Sequence, residues 1–220
     1  MWGLARILQE AADRHASSAG LGFAQLVQDN KAWVLSRVYY HVNRLPREGE
    51  EVTVSTWSRG NDGLFAFRDY QLTDTNNNIL VASTSYWVII DLIGRKAIRL
   101  HSLMNDFESH PDLATDRSTI DRVRIPRQLI MQQVSQFPVK PSMLDHNGHV
   151  NNAEYIKWIF DNLSPEALSV ITDSFRFTIE YYNETPPDDN VSVSRASGED
   201  CTYFQVSNSR SVAVTAQIES

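Results

Sequence analysis

Residues 144–163 read LDHNGHVNNAEYIKWIFDNL, and the change of character within them decides the architecture. The first half is crowded with Asp, His, Asn and Gly, the residues of a tight polar loop. The second half places Tyr155, Ile156, Ile159, Phe160 and Leu163 three and four apart, which predicts one buried face of a helix. Beyond it, alternating apolar runs at 175–182, 191–193, 203–206 and 212–218 are separated by turn residues such as Pro186-Pro187-Asp188-Asp189. The spacing therefore predicts a helix followed by four strands, with a further strand at 134–140 ahead of the loop.

The same order is written once before. Leu4, Ile7, Leu8 and Ala11 predict a helix over residues 2–15, and after a loop around Gly20 and Gly22 strands follow at 33–42, 52–57, 64–72 and 79–92. Details recur as well: an aromatic pair (Tyr39-Tyr40, Tyr181-Tyr182), a turn holding Pro and acids, then V-x-V (Val52/Val54, Val191/Val193). Repetition in order argues for tandem copies of one α+β unit. Residues 102–126 lose the periodicity and read as a connector, dividing the chain into 1–101, 102–126 and 127–220. The first copy begins almost inside its helix, so the reading expects about 15–30 residues of a first strand and loop to precede Met1.

Composition narrows the function. The 220 residues carry 20 Lys and Arg against 27 Asp and Glu, a net charge of −7, which argues against a broad nucleic-acid surface. The excess acid lies in residues 102–220, while residues 1–101 are nearly neutral, so an acidic partner would approach the first half. A single cysteine, Cys201, rules out an intrachain disulfide and a cysteine metal cluster, reads as an inert thiol, and fits a reducing, cytoplasmic setting. No stretch approaches the ~20 apolar residues of a membrane-spanning helix.

The chemistry concentrates in the loop. With an extended backbone, Asp145, Asn147 and His149 at i, i+2 and i+4 would share one side. The backbone N–H groups of Val150, Asn151 and Asn152 would add the positive end of the following helix. A plainer alternative makes Asp145 and Asn147 turn formers and Asn151 a helix cap. A metal site from Asp145, His146 and His149 lacks zinc spacing, and neither metal nor cofactor is expected.

Residues 144–159 resemble the D-x-N-x-H-V-N-N-x-x-Y-I-x-W motif of the acyl-acyl-carrier-protein thioesterases of plants and bacteria. Residues 33–37 with 44–50 (W-V-x-S-R, R-x-P-x-x-G), 82–91 with Gly94-Arg95, and 178–185 (TIEYYNET, against T-L-E-Y-R-R-E-C) extend the likeness over essentially the whole chain. The resemblance implies a double hotdog, two antiparallel sheets each wrapped around a long helix, with the acyl pocket in 1–101 and catalysis in 127–220. It implies Asp145, Asn147, His149 and Glu184 as catalytic residues, and Thr185 stands where many plant members have cysteine. It further implies hydrolysis of fatty acyl-acyl-carrier-protein, ending chain elongation in fatty acid biosynthesis, with acyl carrier protein as partner; it leaves a homodimer open.

Thioester hydrolysis needs an activated water or a nucleophile, a stabilised oxyanion and a proton for the thiolate. Glu184 and His149 suit water activation and proton transfer, Asn147 suits orientation, and Asp145 is either a nucleophile or a support for His149. Val150, Asn151 and Asn152 are the expected oxyanion donors. Arg37, Arg44, Arg47, Arg59 and Arg68 are candidates to meet an acidic carrier, and Leu4, Leu8, Phe23, Leu26 and Val27 to line the acyl tunnel. Two other readings are an acyl-coenzyme A thioesterase and an acyl-binding module without catalysis.

Overall fold

A computed structural model describes residues 1–101, 103–104, 107–145, 147–165, 168, 171 and 174–219. The chain forms two compact units, Arg6–Ile120 and Asp121–Ser220 with Met1–Ala5.

Helix α1 (Trp2–Ser18), which lies in the unit Arg6–Ile120 from Arg6 onward, is followed by a short helix α2 (Phe23–Gln28), where the sequence predicted a loop. Its six residues are too few to display a helical period, so the sequence after Gly20 and Gly22 shows only the loop. Strands β1 (Lys31–Val42), β2 (Val52–Asn61), β3 (Ala66–Asp74), β4 (Ile79–Asp91) and a two-residue β5 (Lys96–Ala97) follow. The strands are antiparallel in the order β2-β3-β4-β1, with β5 pairing β4. Pairing of β1 with β4 runs from Lys31↔Asp91 to Val42↔Val81 and shifts by one residue between Leu35 and Arg37, a bulge that leaves Ser36 unmatched. The inner face meets α1: Arg68 on β3 donates to His15 Nδ1 at 2.8 Å, and Tyr70 and Leu72 beside it are buried.

The outer face of this sheet is buried too, and the connector buries it. Residue 110 donates its N–H to the Ser58 carbonyl, Ala114 N–H bonds Asp69, and Ile120 N–H bonds the Tyr86 hydroxyl. Asp69 consequently lies fully buried in a strand, paired with Arg59 Nε at 2.8 Å. Burial raises its carboxyl above the usual range against the pull of these partners. Residues 110–120 of the stretch read as an aperiodic connector thus form a strap held by the Ser58 carbonyl, the Asp69 carboxylate and the Tyr86 hydroxyl of the sheet.

In the other unit, β6 (Gln132–Pro138) precedes a 3₁₀ turn at Pro141–Met143 and helix α3 (Asn152–Asp161). Strands β7 (Phe175–Tyr181), β8 (Asn190–Ser197), β9 (Cys201–Ser207) and β10 (Val212–Glu219) complete it. Their antiparallel order is β7-β10-β9-β8-β6. Helix α3 buries Ala153, Tyr155, Ile156, Trp158 and Ile159, which marks a helix embraced by a sheet rather than lying on one. Phe160 meets Phe175 and Phe177 of β7, and Trp158 meets Phe137 of β6. The α+β plan, a helix against an antiparallel sheet written twice, is the hotdog arrangement that the sequence predicted.

Two expectations fail on burial. Arg37 donates to the Ile120 carbonyl, Arg59 pairs with Asp69, Arg68 bonds His15 and Thr56, and Arg44 is held by Glu50. Of the five arginines offered for docking, Arg47 is exposed and Arg44, held by Glu50, keeps a 40% exposed side chain, whereas Arg37 and Arg59 are drawn onto the Ile120 and Ser118 carbonyls and Arg68 onto α1. Among the tunnel candidates Leu4, Leu8 and Leu26 are buried, whereas Val27 lies on the surface, 40% exposed, on the outer side of α2.

Candidate active site

The loop ahead of α3 is not extended. Leu144 and Val150 form an isolated antiparallel bridge. Asp145 N–H donates to the His149 carbonyl at 2.8 Å, and Gly148 N–H to the Asp145 carbonyl at 3.1 Å. Gly148 takes φ +76°, a conformation that favours glycine, and so closes the turn. The Asp145 carboxylate accepts from the N–H of Asn147 at 2.8 Å and of His149 at 3.4 Å through the same oxygen, Oδ1. Asp145, Asn147 and His149 therefore do not line up on one side, as an extended loop would require; Asp145 faces back into its own turn, where its charge satisfies two backbone donors.

His149 emerges from this turn toward Glu184, with Nε2 3.6 Å from Oε2. Both side chains keep partial access to solvent, 33% and 46% exposed. Glu184 follows β7 on an irregular segment, and hydrogen bonds tie that segment to the loop. Val150 N–H donates to the Thr185 carbonyl at 3.1 Å, Tyr155 hydroxyl to Thr185 Oγ1 at 2.7 Å, and Asn208 Nδ2 to the Glu184 carbonyl at 3.2 Å. Burial pushes the Tyr155 phenol up to about 12, outweighing its bond to Thr185, and the carboxylates of Glu184 and Asp145 add to the rise.

The helix terminus needs a correction. Val150 N–H is taken by Thr185 and Asn151 N–H by the Met143 carbonyl, so neither faces a substrate. Both are occupied because the bridge and the tie to Glu184 use the backbone on either side of His149. Asn151 Oδ1 accepts from Ala153 N–H at 2.9 Å as the N-cap, leaving Asn152, at the first turn of α3, as the expected donor without an internal partner among the described residues. Asn151→Ala is expected to lower stability by about 1 kcal/mol, read as a fall in the urea midpoint with an unchanged slope.

Asn147 is exposed at the tip of the turn, and among the described residues its side chain does not reach His149 or Glu184. His146 lies outside the described residues. Among the described residues no three His, Cys, Asp or Glu side chains are grouped to hold a metal ion. Sequence reasoning overlooked Tyr155, read only as helix face, and Asn208. It noted Thr185 for the cysteine it replaces, not for its bonds. Tyr155 could have been singled out as a phenol on the apolar face of the helix; nothing local marks Asn208.

The acyl-ACP thioesterase N-terminal domain profile matches residues 1–107, and the C-terminal domain profile matches residues 128–219. The chloroplastic acyl-[acyl-carrier-protein] hydrolase FATB2 of Cuphea viscosissima is 31% identical over 194 residues, covering 80% of this chain and 45% of that protein. The chain spans about half the length of the curated relatives it matches. A crystal structure of an acyl-ACP thioesterase from Bacteroides thetaiotaomicron superposes with a TM-score of 0.86 at 26% identity, covering 100% of this chain and 88% of that one. The 12:0-ACP thioesterase from Umbellularia californica shares the fold, with a TM-score of 0.82 at 23% identity, covering 99% and 88%. With both domain profiles matched in order across two hotdog units, the chain belongs to the acyl-ACP thioesterase family.

Proposed function

We propose that this chain hydrolyses the thioester of a fatty acyl chain carried by acyl carrier protein, releasing the fatty acid and ending its elongation. The observation that carries the reading is the approach of His149 Nε2 to Glu184 Oε2 at 3.6 Å, within the stretch that the family's C-terminal domain profile matches. An imidazole and a carboxylate at that separation, both reached by solvent, suit a water held between them. One of the pair takes the water's proton as its oxygen attacks the carbonyl carbon. The tetrahedral oxyanion forms beside the first turn of α3, where the Asn152 N–H is the donor left for it. Collapse breaks the C–S bond, and the proton passes to the departing thiolate.

Asp145 fits the role of support better than that of nucleophile, since Oδ1 already holds the N–H groups on either side of Gly148. Asn147 belongs to the site through its place in the motif, acting on bound substrate or water. The setting proposed is cytoplasmic, and the partner is acyl carrier protein. No helix among the described residues is long and apolar enough to cross a membrane.

The test is hydrolysis of a panel of acyl-carrier-protein thioesters of different chain lengths, with one acyl chain also presented on coenzyme A. The expected result is a kcat/KM on the carrier protein about tenfold or more above that on coenzyme A, for at least one length. The reverse preference makes the chain an acyl-coenzyme A thioesterase. Acyl binding without turnover on any carrier makes it a binding module.

A further inference from the structure

Glu184 sits between β7 and β8 on backbone with no regular structure, and its side chain is half-exposed. Nothing in such a segment would by itself keep a carboxylate beside an imidazole on another loop. The next residue does. Thr185 is fully buried, and its attachments come from three directions. Its carbonyl takes the Val150 N–H, one residue beyond His149. Its hydroxyl takes the Tyr155 phenol from α3 at 2.7 Å. Asn208, in the turn between β9 and β10, directs its amide to the Glu184 carbonyl at 3.2 Å and to the Thr185 hydroxyl at 3.5 Å.

The far ends of these attachments are themselves fixed. Tyr155 is packed edge-on against the rings of Trp158 and Tyr181, 5.1 and 6.0 Å away. Asn208 Oδ1 accepts from the N–H groups of Arg210 and Ser211, both at 2.9 Å, so its amide cannot turn without losing them. A buried hydroxyl and phenol satisfied by each other have strong reason to stay together, since separating them leaves each unsolvated.

We propose that Tyr155, Thr185 and Asn208 form a clamp that holds the Glu184 carboxylate at His149, making these three the positioning residues of the hydrolysis. The inference rests on the reading of His149 and Glu184 as the reacting pair and goes beyond it, to groups that act through Glu184. It also accounts for threonine at a position where a nucleophile is not needed: a hydroxyl that accepts two bonds serves the clamp.

The experiment measures kcat and KM for the full chain on an acyl-carrier-protein thioester that it hydrolyses. Variants Tyr155→Phe, Thr185→Val, Thr185→Ser and Asn208→Ala are compared, and Tyr155→Phe is repeated in a Glu184→Gln background. With the clamp, Tyr155→Phe and Thr185→Val lower kcat about tenfold while KM stays within about twofold, and Thr185→Ser, which keeps the hydroxyl, stays near the starting rate. In the Glu184→Gln background Tyr155→Phe changes kcat by less than about twofold, because no carboxylate remains to be held. The same tenfold loss on both backgrounds, or no loss from Tyr155→Phe alone, overturns the clamp. Where Thr185→Val fails to fold, the Tyr155→Phe cycle decides. A Glu184→Gln variant as fast as the original is a separate failure: it removes Glu184 from the reaction and the clamp with it.

Discussion

Glu184→Gln and His149→Ala are each expected to lower kcat for thioester hydrolysis by about 100-fold or more, leaving the thermal unfolding midpoint within about 2 °C. Each variant removes one half of the pair whose nitrogen and oxygen stand 3.6 Å apart. Glutamine keeps the size of glutamate and cannot take a proton, so it separates chemistry from packing. The loop itself is built from backbone bonds and the Asp145 carboxylate, neither of which uses the His149 ring. Asp145 gives the contrast. Asp145→Ala takes away the acceptor for two N–H groups and is expected to cost both turnover and stability. Asp145→Asn keeps an acceptor oxygen, so a supporting Asp145 leaves that variant well above Asp145→Ala in kcat, whereas a nucleophilic Asp145 makes the two equally inactive. Steady-state rates on all four variants, beside their melting curves, check the set.

Phe177→Ala is expected to cost about 3–5 kcal/mol of folding stability. Phe177 is fully buried on β7, facing α3, with the Phe160 ring 5.3 Å away in an edge-to-face arrangement. The loss combines the transfer of a large ring to water, a cavity between sheet and helix, and an aromatic pair. Both Phe175 and Ile179 flank it on the same strand face and are equally buried, so the gap has rigid walls and cannot collapse. Urea unfolding followed by circular dichroism gives the number, and a loss below about 1 kcal/mol would show that the helix does not pack on β7 as described.

These two sites differ in how far the sequence foretold them. The helix at 152–161 and the strand at 175–181 were legible because a buried face prints its period, 3.6 or 2, on the chain. Their repetition upstream made tandem units legible as well. The short helix α2 was not, since six residues span too few turns to show a period. The strap over the outer face of the Arg6–Ile120 unit was not, because its order is written in the partners it meets, Ser58, Asp69 and Tyr86, and not in its own residues.

The candidate site divides in the same way. Loop chemistry pointed to Asp145, Asn147 and His149, while Glu184 stood out only through a family resemblance, an acid among turn acids. Sequence by itself determined the residue types and the cap at Asn151, which follow from neighbours within a few positions, and the two-unit plan, which follows from local periods written twice in the same order. Tertiary structure alone decided that Asp145 turns inward, that the N–H groups of Val150 and Asn151 are occupied, that Arg37, Arg59 and Arg68 face internal partners, and that Tyr155 and Asn208 bear on Glu184. Most of those join groups far apart in the chain, 83 residues for Arg37 and Ile120 and 24 for Asn208 and Glu184, and the rest depend on how a turn closes. Such contacts leave no local period, because their energy comes from satisfying buried donors and acceptors that the chain brings together only when it folds.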